Sequence, residues 1–124
     1  MMPKKPASCY YPVFLDLRDR LCVVVGGGRI AAQKVQALRR AGACIRLISP
    51  TLAQPLQRLV KRGAIEHQHR TFRTRDVHGA WLVISATGDR AADEAVWRAA
   101  TARRIFINAV DRPALCSVIA PAIL

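Results

Sequence analysis

Three consecutive glycines follow an apolar run near the start of the chain. Gly26, Gly28 and Ala31 fit the spacing Gly-x-Gly-x-x-Gly/Ala, in which a buried strand turns sharply into a helix. Gly26 would permit the turn, Gly28 would let a phosphate approach the backbone because it has no Cβ, and Ala31 would let the helix pack closely. The helix N-terminus would then offer free N–H groups and a partial positive charge to phosphates. The pattern predicts a dinucleotide-binding turn.

The chain departs from this pattern at the position that usually binds the adenosine ribose. An acidic residue is expected about 20 residues beyond the glycines, but the sequence has no Asp or Glu between Asp19 and Glu66. Ser49 and Thr51 occupy that neighbourhood, and their hydroxyl groups can still bond a ribose. The alternative interpretation is that the glycine turn binds no dinucleotide.

Asp111 is the residue best suited to acid–base chemistry. It follows an apolar run that ends near Asn108, and it precedes Arg112 and Pro113. Burial would suit its carboxyl group to proton transfer, whereas a neighbouring Arg112 would stabilise the ionised form. The alternative is a structural aspartate in a turn before proline.

Metal binding has less support in the sequence. His67 and His69 are spaced to share one face of a strand, and two histidines could bind a metal ion. No third ligand is evident, so no metal-binding residue is predicted. The four cysteines contain no Cys-x-x-Cys pair, and they are interpreted as reduced thiols.

The elements that would position these residues alternate between strands and helices. Helices are predicted after the glycine turn, after Thr51 as an N-terminal cap, and after Thr87-Gly88-Asp89. Tyr10 to Leu17 is expected to pack as a leading edge segment, and Ile65 to Phe72 as an outer strand. Buried strands are predicted over Cys22 to Val25, Cys44 to Ile48, Trp81 to Ala86 and Ile105 to Asn108.

This alternation predicts an α/β fold with a Rossmann-type parallel sheet and helices on both faces, in a single domain over residues 1–124. Ligands of such sheets bind outside the carboxyl ends of the strands. Four segments would therefore converge on one cleft: residues 26–30, 49–51, 86–89 and 108–111.

The net charge of the chain limits the classes of binding partner that are expected. Lys and Arg total 20 against 8 Asp and Glu, a formal net charge of +12. Such a field suits a polyanionic small substrate, although a solvated basic surface without a target remains an alternative. Nucleic acid is not favoured, because the basic residues are dispersed and no aromatic-rich motif accompanies them.

The chain ends suggest location and extent. Met1 to Pro6 is basic but lacks the apolar segment of a secretory signal, and no apolar run approaches the roughly 20 residues of a membrane span. We therefore expect a cytoplasmic location and no membrane partner. The apolar ending Ala120 to Leu124 predicts a domain cut from a longer protein.

Several signatures, in order along nearly the whole chain, resemble the precorrin-2 dehydrogenase/sirohydrochlorin ferrochelatase family, the dehydrogenase–chelatase part of sirohaem synthase. The glycine turn with Ala31 and Lys34 is one of them. The other segments that carry the resemblance are Tyr11 to Leu17, Ser85 to Thr87, Ile107 to Pro113 and Cys116 to Ala122.

The resemblance implies an NAD-dependent oxidation of precorrin-2 to sirohydrochlorin, and some members of the family also insert Fe²⁺. It implies that Asp111 handles protons and that Ser117 contacts the substrate. The basic residues would attract the many carboxylates of the tetrapyrrole. The cofactor residues implied by the resemblance, and by the convergence of strand ends, are Gly26, Gly28, Arg29, Ile30, Pro50, Thr51, Ala86, Thr87 and Asn108.

Two departures qualify the resemblance. Val118 replaces an aromatic residue that is common there, and family members continue into a dimerisation region and a helical C-terminal part. The domain is therefore expected to be truncated and to bind NAD without turnover by itself, and the complete protein is expected to form a homodimer. The competing hypothesis is a dinucleotide-sensing regulatory module without catalysis.

Overall fold

A five-stranded parallel sheet forms the centre of the protein. The computed structural model describes residues 9–120, and the strand order across the sheet is β3-β2-β1-β4-β5 with every pair parallel. The strands are β1 (Leu21–Val25), β2 (Cys44–Ile48), β3 (Glu66–Gln68), β4 (Leu82–Ser85) and β5 (Phe106–Ala109). The helices are α1 (Arg29–Arg40), α2 (Gln54–Lys61) and α3 (Arg90–Ala102).

Helices cover both faces of the sheet, because the strand side chains alternate between two apolar clusters. Cys22 and Val24 pack with residues of α1 and α2, whereas Val23 and Val25 pack with residues of α3 on the other face. The residues of β1 from Cys22 onward are all buried, as expected for a central strand of a parallel sheet. The predicted fold class is confirmed.

The carboxyl ends of β1 and β4 lie side by side at the centre of the sheet. The chain moves from β1 outward to β2 and β3, and then returns to β4 on the other side of β1. The strand order reverses at this point, which is where ligands bind in open parallel sheets.

The start of α2 differs from the prediction. Thr51 is not the N-terminal cap, because the helix begins at Gln54 after Ala53 and has Pro55 in its first turn. The loop before the helix instead bends at Pro50 and Thr51 and lies along the glycine turn, where the N–H of Ala53 donates to the carbonyl of Gly27 at 2.7 Å. This long-range contact delays the start of the helix.

The predicted packing of the segment Tyr10 to Leu17 is wrong for most of its length. Tyr11 and Phe14 are more than four-fifths exposed, and only Leu17 is buried in the core. The segment pairs with no strand, so only its last residue reaches the core. The outer strand predicted over Ile65 to Phe72 is present as the edge strand β3, and it is shorter than expected.

Two predictions about the chain ends fall on residues outside the described range, namely Met1 to Pro6 and the residues after Ala120. No helix within residues 9–120 has the length and apolar character that crossing a membrane requires.

Candidate dinucleotide-binding site

The glycine turn links the ends of β1, β2 and β4. Gly26 is buried and has a φ of 122°, a conformation that residues with a side chain rarely adopt. A Cβ at this position would overlap the carbonyl oxygen of Ala86, while the N–H of Gly26 donates to the carbonyl of Ile48 at 2.9 Å. The sequence predicted the turn, and the structure adds a close contact with the loop after β4.

Gly27 has a steric role that the fingerprint spacing does not specify. A side chain there would overlap the carbonyl oxygen of Thr51 and the Oγ of Ser49. The Ser49 hydroxyl itself donates to the Thr51 carbonyl at 2.6 Å. The loop after β2 can therefore lie directly on the glycine turn. The signal for this contact is the middle glycine of the run, at a position where the fingerprint allows any residue.

The N-terminus of α1 is open. Gly28 is its N-terminal cap residue with extended backbone, no side chain caps the helix, and the first turn contains no acidic residue. A Cβ on Gly28 would meet no atom within 4 Å. The first N–H groups of the helix can therefore receive an anionic group from outside the chain. A dinucleotide pyrophosphate fits this end of the helix.

A cavity of about 240 Å³ adjoins this helix end. Three of the four predicted segments meet around it: the start of α1, the loop after β4 and the loop after β5. Pro50 and Thr51, from the fourth segment, lie outside its lining, next to the glycine turn. The lining residues are Gly28, Arg29, Ile30, Ala86, Thr87, Gly88, Val110 and Asp111.

Asp111 lies at the cavity, but its environment differs from the expected one. The residue is exposed and has a left-handed φ of 61°, so the expected burial of its carboxyl group is wrong. Arg112 does not pair with it either, because its Nε donates to Oδ2 of Asp93 at 2.6 Å. The carboxylate of Asp111 is thus open to a ligand or to water.

Asp93 is a buried carboxylate that the sequence interpretation missed. It is 1 % exposed and accepts hydrogen bonds from Ser85 Oγ at 2.7 Å and Thr87 Oγ1 at 2.6 Å, besides the bond from Arg112. Burial would raise the pKa of Asp93, but the hydrogen bonds from Thr87, Ser85 and Arg112 hold it below its usual value. The sequence did contain a signal for this burial, because Asp93 is spaced to share a helix face with the apolar residues Val96 and Ala100.

Asn108 and Ser117 are separated from the cavity. The Oγ of Ser117 accepts the N–H of Ile107 at 2.9 Å, and the Nδ2 of Asn108 donates to the carbonyl of Val118 at 3.1 Å. Neither residue lines the cavity. Both hold the segment after β5 against the edge of that strand.

The two histidines lie at the edge strand β3, with His67 inside the strand and His69 directly after it. The rings of His67 and His69 stack with centroids 5.4 Å apart, and Nε2 of His67 lies 2.9 Å from the carbonyl oxygen of Ser49. Residues 9–120 contain no group of three His, Cys, Asp or Glu side chains that could hold a metal ion.

Known proteins with similar sequences are siroheme synthases. The siroheme synthase of Methylobacillus flagellatus is 46% identical over 113 residues, covering 91% of this chain and 24% of that protein. The enzyme of Nitrosomonas eutropha is 46% identical over 116 residues, 93% of this chain and 24% of that protein. The chain thus spans about a quarter of the length of these relatives.

A solved structure shares the fold. The chain named "SirC, precorrin-2 dehydrogenase" superposes with a TM-score of 0.70 at 24% sequence identity, covering 93% of this chain and 54% of that one. The family described as "Putative NAD(P)-binding" matches residues 13–122. This match agrees with the glycine turn, the open helix end and the cavity, and it confirms the prediction of a nicotinamide dinucleotide cofactor. The chain belongs to this NAD(P)-binding family.

Proposed function

We propose that the chain is the NAD-binding domain of a precorrin-2 dehydrogenase, which oxidises precorrin-2 to sirohydrochlorin in sirohaem biosynthesis. The observation that carries the proposal is the position of Asp111, an exposed carboxylate on the same cavity as the open N-terminus of α1. A dinucleotide site and a proton acceptor thus share one cleft. The siroheme synthase relatives support the choice of substrate.

The cofactor would lie across the carboxyl edge of the sheet. Gly26 and Gly28 let the pyrophosphate approach the N–H groups of Arg29 and Ile30. The adenosine half would extend over Pro50 and Thr51, and the nicotinamide half over Ala86 and Thr87 towards β5. Bound NAD supplies a hydride acceptor.

Asp111 would complete the oxidation. Conversion of precorrin-2 to sirohydrochlorin removes one hydride and one proton, and the exposed carboxylate of Asp111 can accept that proton. Asn108 would contact the cofactor and Ser117 the substrate. Because neither residue lines the cavity, these contacts would involve parts of the ligands that extend beyond it.

The basic surface suits this substrate. The formal net charge of +12 would attract the carboxylates of a tetrapyrrole and orient it towards the cleft. We further propose a cytoplasmic enzyme in which this domain is one part of a homodimer, with Fe²⁺ insertion as a second reaction of the complete protein.

A chimera tests the dehydrogenase proposal. The chain replaces the segment that it matches in the siroheme synthase of Methylobacillus flagellatus, and NADH formation from precorrin-2 is measured. Asp111→Asn should lower kcat by about 10²–10⁴-fold, the usual contribution of a general base, with the KM for NAD nearly unchanged. Asp19→Asn is the matched control, because Asp19 is also exposed and has the same φ of 61° but precedes β1, at the opposite end of the sheet.

The outcomes separate the two hypotheses. Unchanged turnover in Asp111→Asn would leave Asp111 as a turn residue only. If the chimera binds NADH but does not reduce NAD when precorrin-2 is supplied, the result would favour the regulatory module without catalysis.

A further inference from the structure

One buried carboxylate joins three elements around the cavity. Oδ1 of Asp93 accepts the hydroxyl groups of Ser85 and Thr87, and Oδ2 accepts the Nε of Arg112. Ser85 ends β4, Thr87 lines the cavity, and Arg112 follows Asp111. The contacts therefore connect α3, the loop after β4 and the loop after β5.

The backbone near Arg112 needs such a restraint. Asp111 has a left-handed φ of 61°, which costs free energy for a residue with a side chain. The loop is otherwise held by hydrogen bonds between uncharged groups, among them those from Val110 N to Ser85 O at 2.9 Å and from Arg112 N to Ala109 O at 3.1 Å. A charge-assisted bond of 2.6 Å to a buried carboxylate is a stronger tether than either.

We propose that Asp93 and Arg112 form a positioning pair, which holds the loop carrying Asp111 against the nicotinamide half of the cavity. The inference rests on the proposed function for the identity of the ligand. Asp93 does not line the cavity, so it would act on the ligand through its contacts with Arg112 and Thr87. Losing the pair should therefore affect the ligand half that lies over β4 and β5, and spare the half over β2.

A second buried pair serves as an internal control. Asp76 is 4 % exposed and accepts two hydrogen bonds from Arg70, at 2.8 and 2.6 Å. This pair lines a different cavity, beside β2 and β3. Its loss should destabilise the fold in a similar way without changing the candidate site.

Asp93→Asn is the selective variant. The new amide can keep its oxygen towards Ser85 and Thr87, but its NH₂ group would then face the N–H of Arg112, donor against donor. Adding Arg112→Gln repairs the contact, because the glutamine oxygen occupies the position of Nε after the same three side-chain carbons. Both variants are made in the full chain, together with Asp76→Asn.

The readouts are the Kd values of NADH and of AMP, and hydrogen exchange at the Arg112 amide. Asp93→Asn should raise the Kd of NADH by about tenfold, the lower range for losing a hydrogen bond to a charged group. The Kd of AMP should stay unchanged, exchange at Arg112 should accelerate, and the double variant should restore both properties. Asp76→Asn should leave all of these properties unchanged.

The inference is overturned if Asp93→Asn and Asp76→Asn have the same effect on NADH binding and on exchange at Arg112, or if the double variant rescues neither. Failure of the wild-type chain to bind NADH would instead defeat the proposed function. The exchange measurement would still decide whether the pair holds the loop.

Discussion

The sheet contains two junctions of the same kind, each a central strand, a turn and a helix, and their helix N-termini differ. In the first junction, residues 25–32, α1 starts at Gly28 with no side-chain cap and no acidic residue in its first turn. In the second junction, residues 85–93, Asp89 caps α3 by accepting the N–H of Ala92 at 2.8 Å. Asp93 adds a second carboxylate to the first turn of α3.

The difference shows where an external anion is expected. Both helices have the same partial positive charge at their N-terminus, but α3 neutralises it with its own carboxylates. The first junction leaves it open, and since both helices begin with an arginine, Arg29 and Arg90, the carboxylates make the difference. Apolar strands and parallel topology are common to both junctions, so the ligand preference arises from a few residues in the turns.

The largest expected effect comes from giving the first junction a carboxylate of its own. Gly28→Asp places a negative charge where we propose that the pyrophosphate binds, and a repulsion of about 4 kcal/mol applies to charges about 4 Å apart at an effective dielectric constant of about 20. We expect the Kd of NADH, measured by calorimetry, to rise at least about 100-fold. Folding should be unimpaired, because aspartate is a favourable N-terminal cap.

Gly28→Asn separates charge from shape. It has the same size and capping ability as the aspartate variant but no charge, so its Kd should rise far less. If Gly28→Asp binds NADH as tightly as the wild type, the phosphates lie elsewhere.

Acid should destabilise the second junction more than the first. The pKa of Asp93 in the folded protein lies below its ordinary value of 3.8, so the contacts of its ionised form stabilise the fold fully above that ordinary value. The stabilisation is lost as the pH falls through that ordinary value towards the folded-state pKa. The free energy of unfolding should therefore decline more steeply with acid in the wild type than in Asp93→Asn.

Hydrogen exchange locates this effect. With falling pH, the protection factor of the Arg112 amide should decrease before that of Ala32, which donates to Gly28 O in the first junction. Equal pH dependence at both amides would show that Asp93 contributes nothing local.

The first junction was more predictable from sequence than the second, for a physical reason. Its turn depends on local requirements, namely a backbone that only glycine adopts readily at Gly26 and a small side chain at Ala31. Four consecutive apolar residues before the turn fix the strand as well. Such requirements act on neighbours in the chain and leave a pattern in the sequence.

The remaining parts of the site depend on distant partners. Sequence adjacency suggested that Arg112 would act on Asp111, but it pairs with Asp93, 19 residues away. Thr51 was expected to cap α2, but the bond between Ala53 and Gly27 holds that loop against the glycine turn, and the helix begins later. Neither partner can be identified before the topology is known.

The smallest expected effect is on stability alone. Asp89→Ala removes the cap of α3 and should lower the free energy of unfolding by about 1 kcal/mol in urea denaturation. Asp89→Asn keeps an oxygen acceptor for the Ala92 N–H, so its free energy of unfolding should stay close to that of the wild type. The Kd of NADH should be unchanged in both variants, because the Asp89 carboxylate binds its own helix and does not line the cavity. A Kd of NADH that falls when the Asp89 carboxylate is removed would mean that the second N-terminus also binds the ligand, and the contrast between the two junctions would fail.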